Sequence, residues 1–393
     1  MKQIFALMIL LFIACSLNIV SNLQAANSPG FSQEGHFKSI KQLTFEGTNA
    51  EAYFSPDGKK LVFQSKRPPF KCDQIYTMDL DGSNQKRVSI LGGRNTCSFF
   101  VSLTEMIFSS TYFQGVECPP ERDRSKGYVW EIFKSYDIVA TQKDNNSKVK
   151  FLTKVDGYDA ESTVCGNKIV FTSAREKGRL NIYTMDKDGS NLKQLTFGEG
   201  YKGGPFFSQD CKKIVFRGYT PTSKEERLHF KSSIQEGYIP KSPLEIFTMD
   251  STGKNIEQIT NFQAVSFAPT FYPDGNKVLI SANIPKHLRV DRKRVERATR
   301  ATRTLGVGEK VSGANVDATK SDVNATNYNE PHTFHLWEIQ SNSSKQTQAQ
   351  QISFEGTFNG FPMFSPDGKK LVFASNRNSK NPHDLHIFLA EWQ

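Results

Sequence analysis

The chain has 393 residues, a formal net charge of +10, and 37% apolar, 12% aromatic and 23% charged residues. Its 27 glycines and 17 prolines exclude a collagen-like chain, its apolar content excludes a wholly disordered one, and six cysteines are too few for a disulfide scaffold of this length. Phenylalanine accounts for 31 side chains, and aromatic residues suit the pleated surface of a sheet, so we expect a β-rich core. The net charge raises nucleic acid, anionic lipid or an acidic polymer as a partner.

Residues 1–25 have the features of a secretory signal peptide. Lys2 precedes an apolar run at 4–15, which is too short to span a bilayer, and small residues mark a cleavage point near Ala26. The run ends in a Phe-Ile-Ala-Cys sequence that resembles a lipobox, so lipid attachment at Cys15 is an alternative. We therefore predict an exported protein of the periplasm or cell envelope.

A nine-residue string occurs twice without a change. The string Ser-Pro-Asp-Gly-Lys-Lys-Leu-Val-Phe spans 55–63 and 365–373, and degenerate copies begin at residues 165, 208 and 272. A second element, Ile-Tyr-Thr-Met-Asp or a close variant, follows the first string in several units. Each unit ends in an apolar residue followed by Thr or Ser, and these six closing steps lie at 43–44, 88–89, 152–153, 195–196, 259–260 and 352–353.

Each unit is predicted to form four short antiparallel strands, because Pro-Asp-Gly and Asp-Gly turns join the first strand to the second and the third to the fourth. Six such units in series indicate a propeller. The last unit stops after its third strand, and a single strand at 40–44 precedes the first unit. We therefore predict an all-β fold, a six-bladed β-propeller over 40–393, which follows a short segment at 26–39 and is closed by pairing of the N-terminal strand into the last blade.

These strings resemble the WD-like repeats of TolB-type propellers over residues 40–393. The resemblance implies the propeller fold and, for function, the Pal-binding role of periplasmic TolB, the gating role of peptidase propellers, or another exported role. Blade 2, with its Thr-Cys-Ser-Phe-Phe string at 96–100, resembles a stand-alone subgroup. Only the short segment at 26–39 separates the predicted signal from the first strand, so the α/β domain of TolB is absent and coupling to an energised Tol system is not implied.

Long connections are predicted on one face only. In a blade, the tight turns lie on one face, here called the turn face. The connections between second and third strands lie on the opposite face, here called the insertion face. The loops that lead into the first strands also lie on the insertion face. The long insertions at 111–136, 219–244 and 284–334 belong to the insertion face. Because loops on a rigid scaffold usually carry binding, we predict that the insertion face is functional.

The loops that lead into the first strands should rim the central channel. Their mixture of charged, amide and tyrosine side chains suits a peptide segment or a small polar ligand, although the same residues could simply bond neighbouring blades. The candidate binding residues are Glu51, Arg94, Asn95, Tyr158, Asp159, Glu161, Tyr201, Lys202 and Asn359. A second polar ring, formed by the first residue of each third strand, has the same two interpretations: Gln74, Asp137, Asn181, Glu245, His335 and His386.

The cysteines remaining after signal removal are odd in number and contain no Cys-x-x-Cys spacing. We predict a disulfide between Cys97 and Cys118, both assigned to the insertion face of blade 2. Cys165 and Cys211 occupy neighbouring turns and could be paired or free, and Cys72 is expected to be the leftover thiol. No metal site and no cofactor are predicted, because the Asp-x-Asp-Gly strings lack the distant glutamate of a calcium loop and the two His-x-x-His pairs share no helical face.

Residues 286–303 form a cationic segment within the blade 5 insertion. Eight Lys or Arg against two acidic residues give this segment six of the nine net positive charges left after signal removal. It could be a solvated loop or a helix that binds anionic lipid, lipopolysaccharide or an acidic protein. Nucleic acid is not expected as a partner of an exported protein. The residues concerned include Arg289, Arg292, Lys293, Arg297, Arg300 and Arg303.

No nucleophile-elbow motif and no hydrolase domain accompany the propeller. We therefore predict a non-enzymatic, monomeric module that binds an envelope protein or peptide segment on its insertion face. The alternative is an envelope polysaccharide or peptide hydrolase or lyase with its active site at the channel mouth, since a pair of carboxylates suffices for such chemistry.

Overall fold

The computed structural model describes residues 34–121, 130–142, 149–176, 178–289 and 333–393. The predicted signal peptide and most of the segment at 26–39 lie outside these ranges. No helix in the described ranges is both long and apolar enough to cross a membrane.

Six sheets of four antiparallel strands are present in these ranges, and the predicted six-bladed propeller is confirmed. From the channel outward, blade 1 contains β2 (Thr48–Phe54), β3 (Lys60–Lys66), β4 (Gln74–Asp79) and β5 (Lys86–Arg87). Blade 2 contains β6 (Asn95–Phe100), β7 (Glu105–Ser110), β9 (Asp137–Gln142) and β10 (Val149–Phe151). Blade 3 contains β11 (Asp159–Cys165), β12 (Lys168–Ser173), β13 (Asn181–Asp186) and β14 (Lys193–Gln194). Blade 4 contains β15 (Tyr201–Phe207), β16 (Lys213–Tyr219), β18 (Glu245–Asp250) and β19 (Glu257–Gln258). Blade 5 contains β20 (Ser266–Phe271), β21 (Lys277–Ala282), β22 (His335–Gln340) and β23 (Gln350–Gln351). Blade 6 contains β24 (Asn359–Phe364), β25 (Lys370–Ser375), β26 (His386–Trp392) and the N-terminal strand β1 (Phe37–Gln42).

The N-terminal strand closes the ring as predicted. Strand β1 pairs antiparallel with β26, with Phe37 opposite Trp392, so the strand begins three residues before the predicted position. A hydrogen bond to the side chain of the closing step explains why Thr or Ser ends every unit. The backbone N–H of Ile387 donates to Thr44 Oγ1 at 2.8 Å, as that of Ile182 donates to Thr196 Oγ1 at 2.8 Å. The non-covalent closure therefore uses the same bond as a covalently continuous blade.

The turns between first and second strands are built by their own side chains. Ser55 Oγ donates to Asp57 Oδ1 at 2.6 Å and accepts the N–H of Lys60 at 3.0 Å. Gly58 has a φ of +67°, which favours a residue without a Cβ. The same two hydrogen bonds and a glycine with a positive φ recur in blade 6, so the repeated Ser-Pro-Asp-Gly string defines a hairpin turn.

The core lies between neighbouring blades. The Leu-Val-Phe triplets of the second strands are fully buried and alternate between the two adjacent blades; Val62 of blade 1 packs with Phe108 of blade 2, and Ile107 of blade 2 packs with Phe171 of blade 3. Burying each such side chain contributes about 1.5–3 kcal/mol. Every blade therefore depends on both neighbours, and the ring stabilises itself by radial stacking.

The insertions of blades 2 and 4 have structure of their own. The first contains a short 3₁₀ helix (Tyr112–Gln114) and β8 (Trp130–Glu131), and the second contains helix α1 (Lys224–Gln235) and β17 (Tyr238–Ile239). Helix α1 begins with a capping box, in which Ser223 and Glu226 bond reciprocally. A further 3₁₀ helix, Lys286–Leu288, starts the blade 5 insertion, most of which lies outside the described residues.

The predicted disulfide between Cys97 and Cys118 is wrong. Cys118 is bonded to Cys72, which was expected to be the leftover thiol, and this bridge ties the blade 2 insertion to blade 1. Among the described cysteines Cys97 is the free one, and it lies in the middle of the channel-lining strand β6 with its side chain toward the channel. Cys165 and Cys211, left open by the sequence, form a second disulfide between the turns of blades 3 and 4.

Candidate functional site

The six innermost strands share one backbone irregularity. Each has a β-bulge at which one residue adopts a φ between +47° and +58°, and all six of these residues line one central cavity. The cavity leaves about 30 Å³ of volume for the centres of water-sized molecules, within about 380 Å³ of non-atom space that includes the part open to solvent. The six residues, in blade order, are Glu51, Cys97, Glu161, Gly204, Ala268 and Phe361.

An ion pair occupies one side of this channel. Arg217 on β16 donates from Nη2 to Glu161 Oε1, and only 3% of the Arg217 side chain and 9% of the Glu161 side chain are exposed. Glu161 Oε2 also accepts from Thr172 Oγ1 at 2.7 Å and from the N–H of Gly204 at 2.9 Å. The carboxylate thus has a donor for each oxygen, which a buried charge requires.

Gly204 creates the space for that ion pair. A Cβ at this position would lie 2.0 Å from Arg217 Nη1, so the guanidinium occupies the volume that a side chain would need. The guanidinium also lies over two aromatic rings, 4.3 Å from the centroid of Trp130 and 5.4 Å from that of Tyr201. The internal cation is therefore held by a carboxylate on one side and by aromatic faces on the other.

Glu51 is the second channel carboxyl and has a different environment. Burial and repulsion from Glu161 raise the pKa of Glu51 to about 7. Its carboxyl accepts from the Cys97 thiol, with Sγ 3.7 Å from Oε1, which is a weak contact. This carboxyl can therefore lose or gain a proton near neutral pH.

The rest of the cavity is aromatic and apolar. Tyr53 and Phe206 pack at 5.4 Å between ring centroids, and Phe361 contacts the ring of Phe267 at 5.5 Å. Together with Ala268, these side chains form the apolar part of the cavity lining. The site is thus a small cavity with a charged side and an apolar side, an arrangement typical of small-ligand sites.

Three of the predicted rim residues lie within the blades. Asn95, Asp159 and Asn359 are fully buried. Asn95 and Asn359 donate to carbonyls of their own leading loops, and Asp159 accepts from Arg175 Nη2 at 2.6 Å. Arg175 and its blade 6 counterpart each bond the first polar residue of the inner strand, so these positions brace the blade.

The other rim candidates lie around the channel on the insertion side. Arg94 is 3.7 Å from Asp73 and lies over the ring of Phe133, Tyr158 and Tyr201 are buried, and Lys202 donates to the carbonyl of Glu199. Burial, and then the charge of Arg179, lower the pKa of Lys202 to about 8. Of the nine candidates, the structure brings Glu51 and Glu161 together in the cavity; a binding role for any of them stays a prediction.

The second predicted ring has a structural role in the described contacts. Gln74, Asp137, Asn181 and Glu245 each bond the Ser or Thr of their own closing step. Of the cationic residues named above, Arg289 is described and donates to the carbonyl of Ile284, whereas the others lie outside the described residues. Anionic-lipid binding by this segment stays a prediction.

The sequence reasoning missed Arg217, Trp130, Ser162 and the free thiol of Cys97 as cavity residues. A signal existed for the inner-strand positions. Each of the six lies four residues before the residue that opens the following turn, so aligning the repeats at Ser55, Ser208 and Ser365 places all six in one column. Trp130 comes from an insertion and has no such signal. Within the described ranges, no group of three or more His, Cys, Asp or Glu side chains could hold a metal ion.

No family model matches the chain. It is similar to a TolB homologue from Chlorobium chlorochromatii, with 29% identity over 152 residues, which is 33% of this chain and 33% of that protein. It is also similar to the Tol-Pal system protein TolB of Rickettsia felis, with 31% identity over 100 residues, 25% of this chain and 18% of that protein. The chain thus spans about a third or less of the length of these relatives. The predicted resemblance to TolB-type propellers is confirmed.

Solved structures of similar chains include a protein assigned as TolB from Agrobacterium tumefaciens. It shares 15% identity, covers 90% of this chain and 97% of its own, and has a TM-score of 0.49. An oligogalacturonate lyase in complex with manganese shares 13% identity, covers 90% of this chain and 80% of its own, and has a TM-score of 0.48.

Proposed function

We propose that the chain is an exported interaction module that binds an envelope protein, or a peptide segment of one, on its insertion face. The observation that carries the proposal is a wall built by two insertions from different blades. Strands β8 and β17 pair with each other, with Ile239 opposite Trp130, although they come from blades 2 and 4. We call residues 112–118, which begin with the 3₁₀ helix Tyr112–Gln114, together with β8, α1 and β17 the insertion wall.

The wall is fixed to the scaffold at both ends. The disulfide between Cys72 and Cys118 and the ion pair between Lys66 and Glu121, at 2.7 Å, hold the blade 2 side. Phe230 and Ile234 of α1 are buried in a cluster that includes Tyr158 of blade 3, which the wall covers. Ordering these segments in the free protein lowers the entropic cost of binding a partner.

Apolar side chains are exposed along the wall. Tyr112, Phe113 and Val116 are 36%, 47% and 62% exposed, and Leu228 on α1 is 60% exposed. Single exposed apolar residues are ordinary, but three within five positions of a disulfide-tied segment form a patch that suits a protein partner.

The test compares two faces of one protein. Val116→Ser with Leu228→Ser changes the wall, and Leu192→Ser with Ile256→Ser changes exposed apolar residues next to turns on the opposite face. The free energy of unfolding should change by about 0.5 kcal/mol or less in the wall variant and in the turn-face control. We expect an envelope protein, identified by capture and then titrated in purified form, to bind the wall variant at least about tenfold more weakly, about 1.4 kcal/mol, and the control normally. Equal affinity for all three proteins would place the interface elsewhere.

A second candidate function is hydrolysis or elimination on an envelope polysaccharide or peptide. The specific observation that favours it is the pair of channel carboxyls: Glu51, with its pKa raised to about 7 by burial, could act as an acid or base beside Glu161. Turnover of a glycan or peptide library that is abolished by Glu51→Gln would support this candidate. A library without turnover at pH 6 to 8 would count against it.

A further inference from the structure

We propose that the central cavity binds a primary alkylammonium group, with the ammonium donating to the Glu51 carboxylate. The inference does not require the proposed protein partner, because it concerns the chemistry of the cavity alone. The group could be the side chain or terminus of a peptide or a free small amine, and the experiment below separates these sources.

The charges of the cavity favour one added positive charge. Arg217 neutralises Glu161 within the pair described above, so an ionised Glu51 leaves the lining with one net negative charge. Both oxygens of Glu161 already accept hydrogen bonds, whereas Glu51 has only the weak contact with the Cys97 thiol among the described residues. One available carboxylate suits a monovalent organic cation better than a metal ion such as Ca²⁺, which takes six or more oxygen ligands.

Ser162 provides an independent second observation. This residue lines the same cavity and is 2% exposed, yet its Oγ has no hydrogen-bond partner among the described residues. A buried hydroxyl without a partner is uncommon and calls for an explanation. An ammonium group carries three donors, so it can bond the Glu51 carboxylate and the Ser162 hydroxyl together.

The apolar side of the cavity suits the alkyl part of the ligand. Tyr53, Phe206 and Phe361 line the same cavity, so methylene groups placed against them would be removed from water. The same channel already holds one cation in this manner, since the Arg217 guanidinium lies over the Trp130 ring with a carboxylate beside it. Aromatic faces attract a cation and make the site selective for amines over neutral alcohols.

Binding should depend on pH, because Glu51 must be ionised to accept the ammonium. The groups that act on its carboxyl are Glu161 and Asp73, which raise its pKa, and Arg217 and the Cys97 thiol, which lower it; Tyr53 is also close enough to interact. With a pKa of about 7, Glu51 is largely protonated at pH 6 and largely ionised at pH 8. Affinity for an amine should therefore rise about tenfold between these two values.

The experiment titrates the full chain with n-butylammonium, with 1-butanol as its neutral counterpart, and with a blocked peptide containing one lysine, by calorimetry at pH 6, 7 and 8. We expect the amine or the lysine peptide to bind, affinity to rise about tenfold from pH 6 to 8, and butanol not to bind. Glu51→Gln should reduce affinity at pH 8 at least about tenfold, and Ser162→Ala should reduce it by a few fold. Glu257→Gln, an exposed carboxylate on β19, is the control and should bind normally.

Each outcome is decisive. Binding of the peptide alone assigns the group to a polypeptide, binding of butylammonium alone assigns it to a free amine, and binding of both leaves the shared chemistry intact; all three support the site. A folded Glu51→Gln protein, checked by thermal unfolding, that binds amines as the wild type does would overturn the proposal. So would the absence of amine binding at millimolar concentrations at pH 8. If the wild-type protein captures no envelope protein but still binds amines, the proposed protein-binding function is refuted and the amine site is not.

Discussion

The two halves of the channel have the same backbone and opposite chemistry. In blades 1 to 3 the left-handed residues are Glu51, Cys97 and Glu161, and in blades 4 to 6 they are Gly204, Ala268 and Phe361. The residue that follows is Ala or Ser in the first half and Pro in the second half, at 205, 269 and 362. The bulge leaves both positions outside the strand pairing, so proline removes no ladder hydrogen bond there.

This contrast shows which features of the repeat are structural and which are free to vary. The bulge requires one residue in the left-handed region, and the propeller accepts an acid, a thiol or a phenylalanine at that position at a cost of about 1–2 kcal/mol each. Side chains at the bulge project into the channel, where Glu161 and Phe361 also contact side chains of a neighbouring blade. The backbone of the ring is therefore kept with different channel side chains, but their contacts between blades still contribute to stability.

The largest effect should follow from removing the positive charge that blade 4 places against Glu161 of the polar half. Arg217→Met leaves Glu161 buried without its ion-pair partner and should lower the free energy of unfolding by about 3–5 kcal/mol, measured by urea denaturation. The double variant Arg217→Met with Glu161→Gln should recover much of that loss. As a control, Lys60→Met removes the half-exposed pair with Asp79 and should cost about 1 kcal/mol or less. Similar losses of unfolding free energy for Arg217→Met and Lys60→Met would show that the channel pair stabilises the fold no more than a half-exposed pair does.

A smaller effect should separate two equivalent positions of the ring. Gly204→Ala places a Cβ against the Arg217 guanidinium and should cost about 2–4 kcal/mol. The reverse change at Ala268, Ala268→Gly, occurs at a φ of +47°, where glycine is favoured, and should alter stability by about 1 kcal/mol or less. Thermal unfolding of both variants is the measurement. If the two substitutions have equal effects, backbone conformation rather than the space behind Gly204 determines the cost.

The smallest effect concerns the second acid and depends on pH. The folded pKa of Glu51, about 7, lies above its ordinary value of 4.5. The folded state therefore binds this proton more tightly than the unfolded state does, and the contribution of Glu51 to stability falls as pH rises from about 4.5 to 7. Glu51→Gln should be more stable than the wild type by about 1–3 kcal/mol at pH 8 and nearly equal to it at pH 4.5.

The measurement is the difference in the free energy of unfolding between the two proteins across this pH range. Glu257→Gln is the matched control, because its side chain is exposed on the outermost strand of blade 4. A difference between wild type and Glu51→Gln that does not change with pH would show that Glu51 is not held in a protonated form in the folded protein.

The fold could be predicted from the sequence because every unit repeats the same local signals. The Ser-Pro-Asp-Gly turn and the closing Thr or Ser are bonded through their own side chains, so each string carries its structure with it. The six-bladed closure followed from counting the units. Glu51 and Glu161 could also be predicted as channel residues, since the leading loops and inner strands could be located from those turns.

The remaining features depend on contacts that no repeat encodes. Cys72 and Cys118 come together through the irregular path of an insertion, and Trp130 reaches the channel because β8 pairs with a strand of another blade. Asn95 and Asn359 were assigned to the leading loops, but each is the first residue of an inner strand and its side chain is buried. Pairing of insertions and bulge position are tertiary properties, and sequence periodicity alone does not reveal them.

The closure of the ring also has a mechanical consequence. Strand β1 begins at Phe37 directly opposite Trp392, where β26 ends, so the two ends of the domain leave the same end of one antiparallel strand pair. Tension applied to those two ends would load the hydrogen bonds of this pair one after another and peel the strands apart. The other blades, whose four strands follow one another along the chain, lack such a seam in the described residues. A ring held by six similar interfaces would therefore open under traction at one defined place.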